Sequence, residues 1–373
     1  MTFDADVVVV GAGIAGASLA SEVAEHASVL ILEAEGQPGY HSTGRSAAFW
    51  SESYGGPLVQ PLTSASHAFL AQPPPEFHGS PFLSRRGAIH LADAEGAIVL
   101  EEMWQEFRHT PVVFERLGRE ALAKRLSGLR AGWNYGLHEP SCTDIDVAAL
   151  HAAYLRSAKA KGARLLADAA FEGAERQGGG WNVETRQGPV TARIIVNAAG
   201  AWADDVARRA GERPVGIQPY RRTIAQLRVD PPAAADLPLI IDALGRFYFK
   251  PEAGGRIWLS PHDETACDPC DCAPEEYDVA LAIDRFQSAL DWRVERVEHS
   301  WAGLRSFAAD RLPVYGYAAG SRDFFWCAGQ GGFGIQTAPA AAKLAASLLL
   351  GTSPDPMVAH IDPVPYLAER FAI

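Results

Sequence analysis

Three glycines near the N-terminus and one acidic residue downstream have the types and spacing of a dinucleotide-binding turn. Gly11, Gly13 and Gly16 occur in the order GAGIAG, and the acidic residue is Glu33. The first glycine permits a tight turn, the second lets a pyrophosphate approach the backbone, and the third allows a helix to pack closely on a strand. A carboxylate at Glu33 accepts hydrogen bonds from ribose hydroxyls and disfavours a 2′-phosphate. The pattern predicts that the chain binds NAD or FAD.

Two strands and a helix must hold these residues in register. Val7–Val10 is a short β-branched run typical of a buried parallel strand, residues 17–27 have the composition of a helix, and residues 28–32 form a second apolar strand. The free N–H groups at the start of that helix favour a phosphate group. A glycine-rich turn without a ligand is the alternative interpretation, which the complete order of strand, turn, helix and strand disfavours.

Residues 40–50, with the sequence YHSTGRSAAFW, change abruptly from small polar residues to two large aromatic ones. Hydroxyls, backbone N–H groups and one guanidinium suit an extended diphosphate and ribityl chain, running onward from the ribose held by Glu33. Phe49 and Trp50 then fall where the loop leaves the cofactor, so we expect both to form a wall of a substrate pocket. A capped loop with an aromatic staple is the alternative.

The middle of the chain favours FAD over NAD. A nicotinamide dehydrogenase would continue with alternating strands and helices. Instead, residues 171–202 and 238–261 contain alternating strands with glycine turns between them. We expect a β-rich second domain around residues 215–305, closed by one helix within residues 274–292. Near the C-terminus, an apolar strand leads through the glycine turn QGGFG at 330–334 into a last long helix.

Composition limits the partners and the location that we expect. The chain of 373 residues carries a net charge of −12, which argues against nucleic acid or an anionic membrane surface as the main partner. No apolar run is long enough to span a bilayer, and an acidic residue stands where a signal peptide would carry positive charge. The odd count of five cysteines fits a reducing compartment. We therefore expect a cytoplasmic protein without an integral membrane segment.

Several segments together resemble one family. GAGIAG at 11–16, GYHSTGRSAA at 39–48, VNAAGAW at 196–202, HSWAGLRSF at 299–307 and FFWCAGQGGFGIQT at 324–337 are similar to the FAD-dependent amino acid oxidoreductases of the D-amino acid oxidase superfamily, and most of all to bacterial D-arginine dehydrogenases. The resemblance implies an α/β fold with two domains. A discontinuous Rossmann-like FAD-binding domain would comprise residues 1–87, 142–214 and 306–373. A mixed antiparallel β-sheet substrate domain with helices would comprise residues 88–141 and 215–305.

The resemblance also implies roles for individual residues. Arg222 and Arg305 would hold the substrate carboxylate, a task suited to bidentate guanidiniums, and Tyr54 and Tyr248 would lie over the substrate. The pocket would be lined by Phe49, Trp50, Ala88 and Gly332. The positions that match the family's cofactor-binding residues are Gly11, Gly13, Ile14, Ala15, Gly16, Glu33, Ala34, His41, Ser42, Thr43, Gly44, Arg45, Ser46, Ala47, Ala48, Phe171, Ala199, Gly200, Trp202, Arg305, Gly331, Gly332, Gly334, Ile335 and Gln336.

Two departures from the resemblance concern the substrate. Relatives that use D-arginine carry a histidine where this chain has Phe49 and a glutamate where it has Ala88. A cationic side chain would lose its carboxylate partner and lie near Arg85 and Arg86, which is costly in a dry pocket. We therefore expect hydride transfer from the α-carbon of neutral or apolar D-amino acids to flavin N5. The imine product would then hydrolyse to a 2-oxo acid.

Cysteine usage bears on the cofactor and on metals. Some related amine oxidases attach FAD to a cysteine, and the matching segment at 312–321 (LPVYGYAAGS) contains none, so we expect non-covalent FAD. The segment CDPCDC at 267–272 holds one CxxC pair, whereas zinc sites usually combine two, so no metal site is expected. Cys327 lies in an apolar strand and is expected in the core.

Three functions remain open. The first is a D-amino acid dehydrogenase that passes electrons to a quinone or another carrier. It is favoured because the resemblance aligns Trp258 with a lysine that helps related sarcosine oxidases react with oxygen. The second is an oxidase of glycine or a secondary amine, which would release hydrogen peroxide. The third is a non-catalytic flavoprotein subunit, against which the joint presence of Arg222, Arg305, Tyr54 and Tyr248 argues.

Overall fold

The computed structural model describes residues 3–77 and 79–371. Met1, Thr2, His78, Ala372 and Ile373, all of which fall within the predicted FAD-binding ranges, lie outside the described residues. In chain order the strands are β1 (Ala5–Val10), β2 (Val29–Leu32), β3 (Phe49–Trp50), β4 (Leu83–Arg85), β5 (Ala88–Ala92), β6 (Glu115–Gly118), β7 (Tyr135–Glu139), β8 (Thr143–Ile145), β9 (Arg164–Leu166), β10 (Phe171–Gln177), β11 (Gly180–Thr185), β12 (Val190–Asn197), β13 (Gln218–Asp230), β14 (Leu239–Asp242), β15 (Tyr248–Glu252), β16 (Arg256–Ser260), β17 (Thr265–Ala266), β18 (Arg293–Phe307), β19 (Val314–Tyr317) and β20 (Phe324–Ala328).

The helices alternate with these strands mainly in the first half of the chain and at its end. They are α1 (Ile14–Val23), α2 (Gln60–Ala71), α3 (Ala97–Phe107), α4 (Arg119–Arg125), α5 (Val147–Ala160), α6 (Ala203–Arg209), α7 (Glu276–Ala289) and α8 (Gly334–Leu350), with short 3-10 turns at Pro75–Phe77, Gly200–Trp202, Val364–Tyr366 and Ala368–Phe371. Asp146 caps α5 by accepting from the Ala149 amide. Gly351 ends α8 in the left-handed conformation. Among residues 3–77 and 79–371, no helix is long and apolar enough to cross a membrane.

The eight-stranded sheet has the order β10-β11-β12-β1-β2-β9, with β20 beside β12 and β19 beside β20. Its central strand β1 pairs in parallel with β2, as the sequence predicts, and also with β12. Alternate valines of β1 enter two different apolar clusters, because successive side chains point to opposite faces. Helices α1, α5 and α8 lie together against one of these faces. Cys327 is buried in this core, which confirms its prediction.

The nine-stranded sheet has the order β17-β13-β16-β15-β14-β5-β7-β6, with the long strand β18 antiparallel to β13. The predicted hairpins β14–β15 and β15–β16 are confirmed, as are β10–β11 and β11–β12 in the other large sheet. Helix α7 covers the nine-stranded sheet through Phe286. A small third sheet, β3-β8-β4, contains the end of the loop at residues 40–50. The α/β class is confirmed, while the exact domain ranges remain a prediction.

Candidate active site

The glycine turn between β1 and α1 is shaped by close approaches of the backbone. Gly11 has a φ of +102°, and a Cβ there would lie 2.5 Å from the carbonyl oxygen of Ala198. A Cβ on Gly16 would overlap the carbonyl oxygen of Gly11, so only glycine lets the helix lie this close. At Gly13 a Cβ would meet only the Thr43 hydroxyl, at 3.2 Å. The turn therefore leaves space at the N-terminus of α1, where free N–H groups favour an anion.

Glu33 follows β2, and two backbone amides fix its carboxylate. The Ala12 amide donates to Oε2 and the Glu35 amide donates to Oε1, both at 3.0 Å. The side chain is buried, yet it borders a cavity. A carboxylate has about four acceptor sites, so it can still accept from ribose hydroxyls while it holds these amides.

A cavity of about 470 Å³ extends from Glu33 to Arg305 and brings most of the predicted residues together. It is lined by Gly11, Gly13, Ile14, Ala15, Glu33, Ala34, His41, Ser42, Thr43, Arg45, Ser46, Ala47, Phe171, Ala199, Gly200, Trp202, Arg222, Tyr248, Arg305, Gly331, Gly332, Gly334 and Ile335. The other predicted residues, Gly16, Gly44, Ala48, Phe49, Trp50, Tyr54, Ala88 and Gln336, lie outside this lining. Several of these, among them Phe49, Tyr54 and Ala88, pack against residues that line the cavity.

The polar loop over residues 41–48 uses its side chains largely to hold itself. The Thr43 hydroxyl accepts from the Ile14 amide at 3.0 Å, and the Ser42 hydroxyl donates to the Leu304 carbonyl at 2.7 Å. Arg45 borders the cavity, but its guanidinium contacts the Asp271 carboxylate and donates to the carbonyls of residues 272 and 302. It is therefore not the free cation that the sequence pattern suggested for the diphosphate. Gly44 serves a tight turn, with its amide bonded to the Gly39 carbonyl.

The two aromatic residues at the end of the loop face opposite ways, which corrects the prediction that both line the pocket. Trp50 is buried in the core beside α5, and its indole N–H donates to the Thr63 carbonyl at 2.9 Å. Phe49 faces the other side, with its ring 5.4 Å from that of Tyr54 and 6.5 Å from that of Tyr248. Phe49 and the two tyrosines therefore form an aromatic wall, and Trp50 supports it from the core.

Arg222 on β13 and Arg305 on β18 lie side by side, because the two strands pair with Arg222 opposite Gly303 and Tyr220 opposite Arg305. Arg222 is only 4% exposed. Its Nε donates to the Asp263 carbonyl at 2.7 Å and its Nη2 donates to Glu264 at 3.2 Å. Among the described residues its Nη1 has no partner. A buried guanidinium N–H without a partner is costly, and it points to a ligand with an acceptor group.

Electrostatics around the two arginines favour an anion and a neutral histidine. Burial lowers the pKa of Arg222, and the charge of Arg305 lowers this pKa further. Burial, and then the charges of Arg222 and Arg305, hold the pKa of His262 well below its usual range. The His262 ring packs edge-on against Tyr248, with centroids 5.4 Å apart. A neutral His262 thus supports Tyr248 without adding charge to the site.

The glycine turn before α8 makes room for Tyr54 and Arg305. A Cβ on Gly332 would overlap the Tyr54 hydroxyl and lie 2.9 Å from Cζ of Arg305. The Arg305 guanidinium in turn lies over the Tyr54 ring, at 5.6 Å.

The prediction that Gln336 contacts the cofactor is corrected, because its side chain binds within the protein. Its amide donates to the Tyr54 carbonyl and to Thr63, and its oxygen accepts from the Ser51 amide.

Ala88 lies behind the cavity, which corrects its assignment to the pocket lining. It is fully buried in an apolar cluster with Tyr248 and Ile224, and it pairs across the sheet with Glu139. Arg86, which the sequence analysis placed near a bound cationic side chain, donates to Asp144 at 2.8 Å and to two backbone carbonyls.

Several residues at the site were not predicted from the sequence. At the far end of the cavity, near Phe171, these are Arg186, Asp205 and Arg209. Behind the two arginines they are His262, Asp263 and Glu264. Glu139 holds the loop that carries Tyr54. A signal existed only for the 261–264 segment, since the run Pro-His-Asp-Glu directly follows an apolar strand in the predicted hairpin.

Comparisons with known proteins give a consistent assignment. Residues 6–348 match the family model described as FAD dependent oxidoreductase. Dimethylglycine dehydrogenase from Rattus norvegicus is 28% identical over 253 residues, which cover 62% of this chain and 29% of that protein. Glycine oxidase from Geobacillus kaustophilus is 25% identical over 373 residues, which cover 94% of each chain.

Solved structures give the same fold. The crystal structure of glycine oxidase from Geobacillus kaustophilus superposes with a TM-score of 0.85 at 23% identity, covering 99% of each chain. That of L-proline dehydrogenase from P. horikoshii does so with a TM-score of 0.83 at 21% identity, covering 100% of this chain and 99% of the other.

The residues of the cavity fit FAD. The open space at Gly13, the oriented carboxylate of Glu33 and the cavity between them and Arg305 suit a long dinucleotide with a ring system at the arginine end. With this fit and the match over most of its length, the chain belongs to the family of FAD-dependent oxidoreductases.

Proposed function

We propose that the protein is a dehydrogenase of D-amino acids with neutral or apolar side chains, acting through non-covalent FAD. The observation that carries the proposal concerns Arg222, which lines the cavity beside Arg305 and whose buried Nη1 has no partner among the described residues. A substrate carboxylate would supply the missing acceptor, and paired guanidiniums are the side chains best suited to fix its orientation.

The chain's own residues would position the substrate. Arg222 and Arg305 hold the carboxylate, and Tyr54 and Tyr248 close over it from the aromatic wall. FAD, when bound, accepts the hydride from the substrate α-carbon. Fixing the carboxylate holds the α-hydrogen in one orientation, which lowers the entropic cost of such a transfer. The imine would leave for hydrolysis to a 2-oxo acid.

The wall supports a preference for apolar side chains. Tyr248 and Ile224 border the cavity, and the Phe49 ring packs behind them against the rings of Tyr248 and Tyr54. Burial against such surface contributes about 25 cal/mol per Å² of apolar area. A cationic side chain would have to shed its hydration, and Glu264, which lies outside the cavity lining, already contacts the guanidiniums of Arg222 and Arg311. We therefore propose that D-arginine is a poor substrate.

A glycine or secondary-amine oxidase is the second candidate, favoured by the match to glycine oxidase over 94% of this chain. Against an oxidase, Lys250 is not free to assist oxygen, since its Nζ donates to Asp144 at 3.0 Å and lies 5.0 Å from the Trp258 ring centre. A non-catalytic flavoprotein subunit is disfavoured because Arg222, Arg305, Tyr54 and Tyr248 gather at one place.

Product analysis separates the candidates. The protein is incubated with D-leucine, D-arginine, glycine and sarcosine, with and without a quinone-like dye, and the 2-oxo acid and hydrogen peroxide are measured per turnover. The proposal expects D-leucine to give 2-oxo acid that depends on the dye, with little peroxide. Peroxide formed in equal amount to product would instead make the protein an oxidase. Turnover of sarcosine but not of D-leucine would establish the second candidate.

A further inference from the structure

Glu264 is an acidic residue surrounded by guanidiniums at the edge of the site. Its carboxylate lies 2.9 and 3.0 Å from Nη2 of Arg311, 3.2 Å from Nη2 of Arg222 and 4.0 Å from Nη1 of Arg305. It is not among the cavity-lining residues. Arg222 and Arg305, which are proposed to hold the substrate carboxylate, form a clamp. Glu264 therefore contacts this clamp on the side turned away from the substrate.

The segment that carries Glu264 is fastened to the strand of Arg222. The Asp263 carboxylate accepts from the Thr223 amide at 2.7 Å and from the Thr223 hydroxyl at 3.0 Å. Just before it, His262 adopts a φ of +58°, which a non-glycine residue seldom adopts. The position of Glu264 is thus set by β13 itself and does not depend on a mobile side chain alone.

Two guanidiniums that face one cavity repel each other, and the surrounding charges decide how strongly. Arg222, Arg305 and Arg311 contribute three positive charges, and Asp263 and Glu264 contribute two negative ones. The neighbouring Arg221 pairs with Glu275 and Asp278, and its Nε also lies 3.8 Å from the Asp263 carboxylate. Within the set of Arg222, Arg305, Arg311, Asp263 and Glu264, one positive charge remains, which matches a substrate with one carboxylate.

We propose that Glu264 is a positioning and specificity residue, which orients Arg222 and reduces the positive charge of the clamp to that needed for a single carboxylate. The inference rests on the proposed function and names the residue that tunes its clamp. In this account Glu264 weakens anion binding by its charge, while it speeds flavin reduction by holding Arg222 in place.

The test uses the FAD-loaded protein and two variants with opposite charge changes. Binding of benzoate, a carboxylate without an oxidisable amine, is measured by calorimetric titration. Glu264→Gln should bind benzoate about tenfold more tightly, since one negative charge near the anion is removed. Arg311→Met, which leaves the Glu264 charge without its exposed partner, should bind benzoate severalfold more weakly. Opposite shifts support an electrostatic role.

The second readout is the limiting rate of flavin reduction by D-leucine. Glu264→Gln should reduce this rate about tenfold although it binds anions more tightly. Weaker benzoate binding in both variants, or unchanged binding in Glu264→Gln, would overturn the proposal and leave Glu264 as part of the fold only. If wild-type protein binds benzoate but no D-amino acid reduces it, the proposed function fails while the benzoate comparison still decides the role of Glu264.

Discussion

At the scale of the residue, Arg222 is the part of the site with the clearest unmet requirement. Its Nε and Nη2 are used within the protein, and its Nη1 is buried without a partner among the described residues. The neighbouring Arg221 also has a buried nitrogen, Nε, without a hydrogen-bond partner among the described residues, but it lies outside the cavity lining and its guanidinium is paired with Glu275 and Asp278. We therefore expect a binding role for Arg222 and a structural role for Arg221.

We predict that Arg222→Ala slows flavin reduction at low D-leucine concentration by about a hundredfold or more. Removing one partner of a desolvated charge pair costs about 2–5 kcal/mol. Arg221→Ala, the matched control, should have a much smaller effect on reduction. Stopped-flow spectroscopy measures both rates. Equal effects in the two variants would mean that the carboxylate is held elsewhere.

A second prediction concerns the substrate side chain. We expect kcat/KM for D-leucine, D-methionine or D-phenylalanine to exceed that for D-arginine by about tenfold or more, a difference of about 1.4 kcal/mol. Steady-state rates with a dye acceptor measure this ratio. Phe49→Ala should lower the ratio, because the aromatic wall loses apolar surface. A wild-type preference for D-arginine would show that an acidic group reaches the side-chain region.

The buried position of Ala88 changes what its substitution should do. Sequence reasoning suggests that Ala88→Glu would restore D-arginine use. In the structure the new carboxylate would enter a fully buried apolar cluster, opposite Glu139. We predict instead that Ala88→Glu lowers the free energy of unfolding by several kcal/mol, since a buried unpaired charge is costly. Chemical denaturation measures this loss. A stable variant with gained D-arginine activity would return Ala88 to the pocket.

Residue roles could be predicted where backbone geometry alone decides them. Gly11, Gly16 and Glu33 follow from spacing, because each performs its task through the main chain or at a strand end. Phe49 and Trp50 could not both face the pocket, since neighbours in a strand point to opposite sides. The partners of Arg45 lie more than two hundred residues away in sequence, so its use as a brace carried no local signal.

At the scale of the element, the first turn of α1 distinguishes two kinds of glycine. Gly16→Ala should destabilise the protein without FAD by about 3 kcal/mol, because its Cβ would overlap the Gly11 backbone. Gly13→Ala should leave that stability within about 1 kcal/mol, yet weaken FAD binding by narrowing the approach to the backbone. Thermal unfolding and flavin fluorescence test the pair. FAD affinity unchanged in Gly13→Ala would contradict this reading of the turn.

Strand β7 and the loop that carries Tyr54 are joined by Glu139. Its buried carboxylate accepts from the Glu52 amide at 2.7 Å and from the hydroxyls of Ser51 and Ser53 at 2.9 and 2.5 Å. His90 Nε2 lies 3.8 Å away, beyond hydrogen-bond distance. Burial alone would raise the pKa of Glu139, but His90 and the two serines lower it below its ordinary value of 4.5.

We predict that Glu139→Gln lowers the free energy of unfolding at neutral pH by about 2 kcal/mol, the contribution of hydrogen bonds to a charged group. Because the folded pKa is depressed, this stabilisation is present above the unfolded pKa and is lost as pH falls through the folded pKa. The difference between wild type and variant should therefore shrink in acid below about pH 4.5. Urea unfolding at several pH values measures it, and a difference independent of pH would contradict the charge-based account.

Elements were predictable where local patterns define them, as in the hairpins of β10–β12 and β14–β16. The parallel pairing of β5 with β14 was not, because it joins residues 88–91 to 239–242 without a turn between them. That pairing places Ala88 behind Tyr248, which explains why a position matched by resemblance lay outside the cavity lining.

At the scale of the whole molecule, the cavity joins the two large sheets. Gly11 and Glu33 lie at the ends of strands in the eight-stranded sheet, and Arg222 and Arg305 lie within the nine-stranded one. The order of these parts along one cavity agrees with a cofactor bound at one sheet and a substrate held by the other. The α/β class could be predicted from the sequence, because the order of the motifs along the chain is enough to indicate it. The roles of Asp263 and Glu264, behind the two arginines, could not be predicted in this way.

The most direct test is anaerobic reduction of the bound flavin, followed by its visible absorbance. Purified protein should be yellow, release intact FAD on denaturation, and lose its visible absorbance rapidly with D-leucine, slowly with D-arginine and not at all with L-leucine. Flavin that stays on the denatured chain would contradict non-covalent binding. Reduction by glycine or sarcosine alone, by L-leucine in place of D-leucine, or by no amino acid would contradict the proposed D-amino acid dehydrogenase.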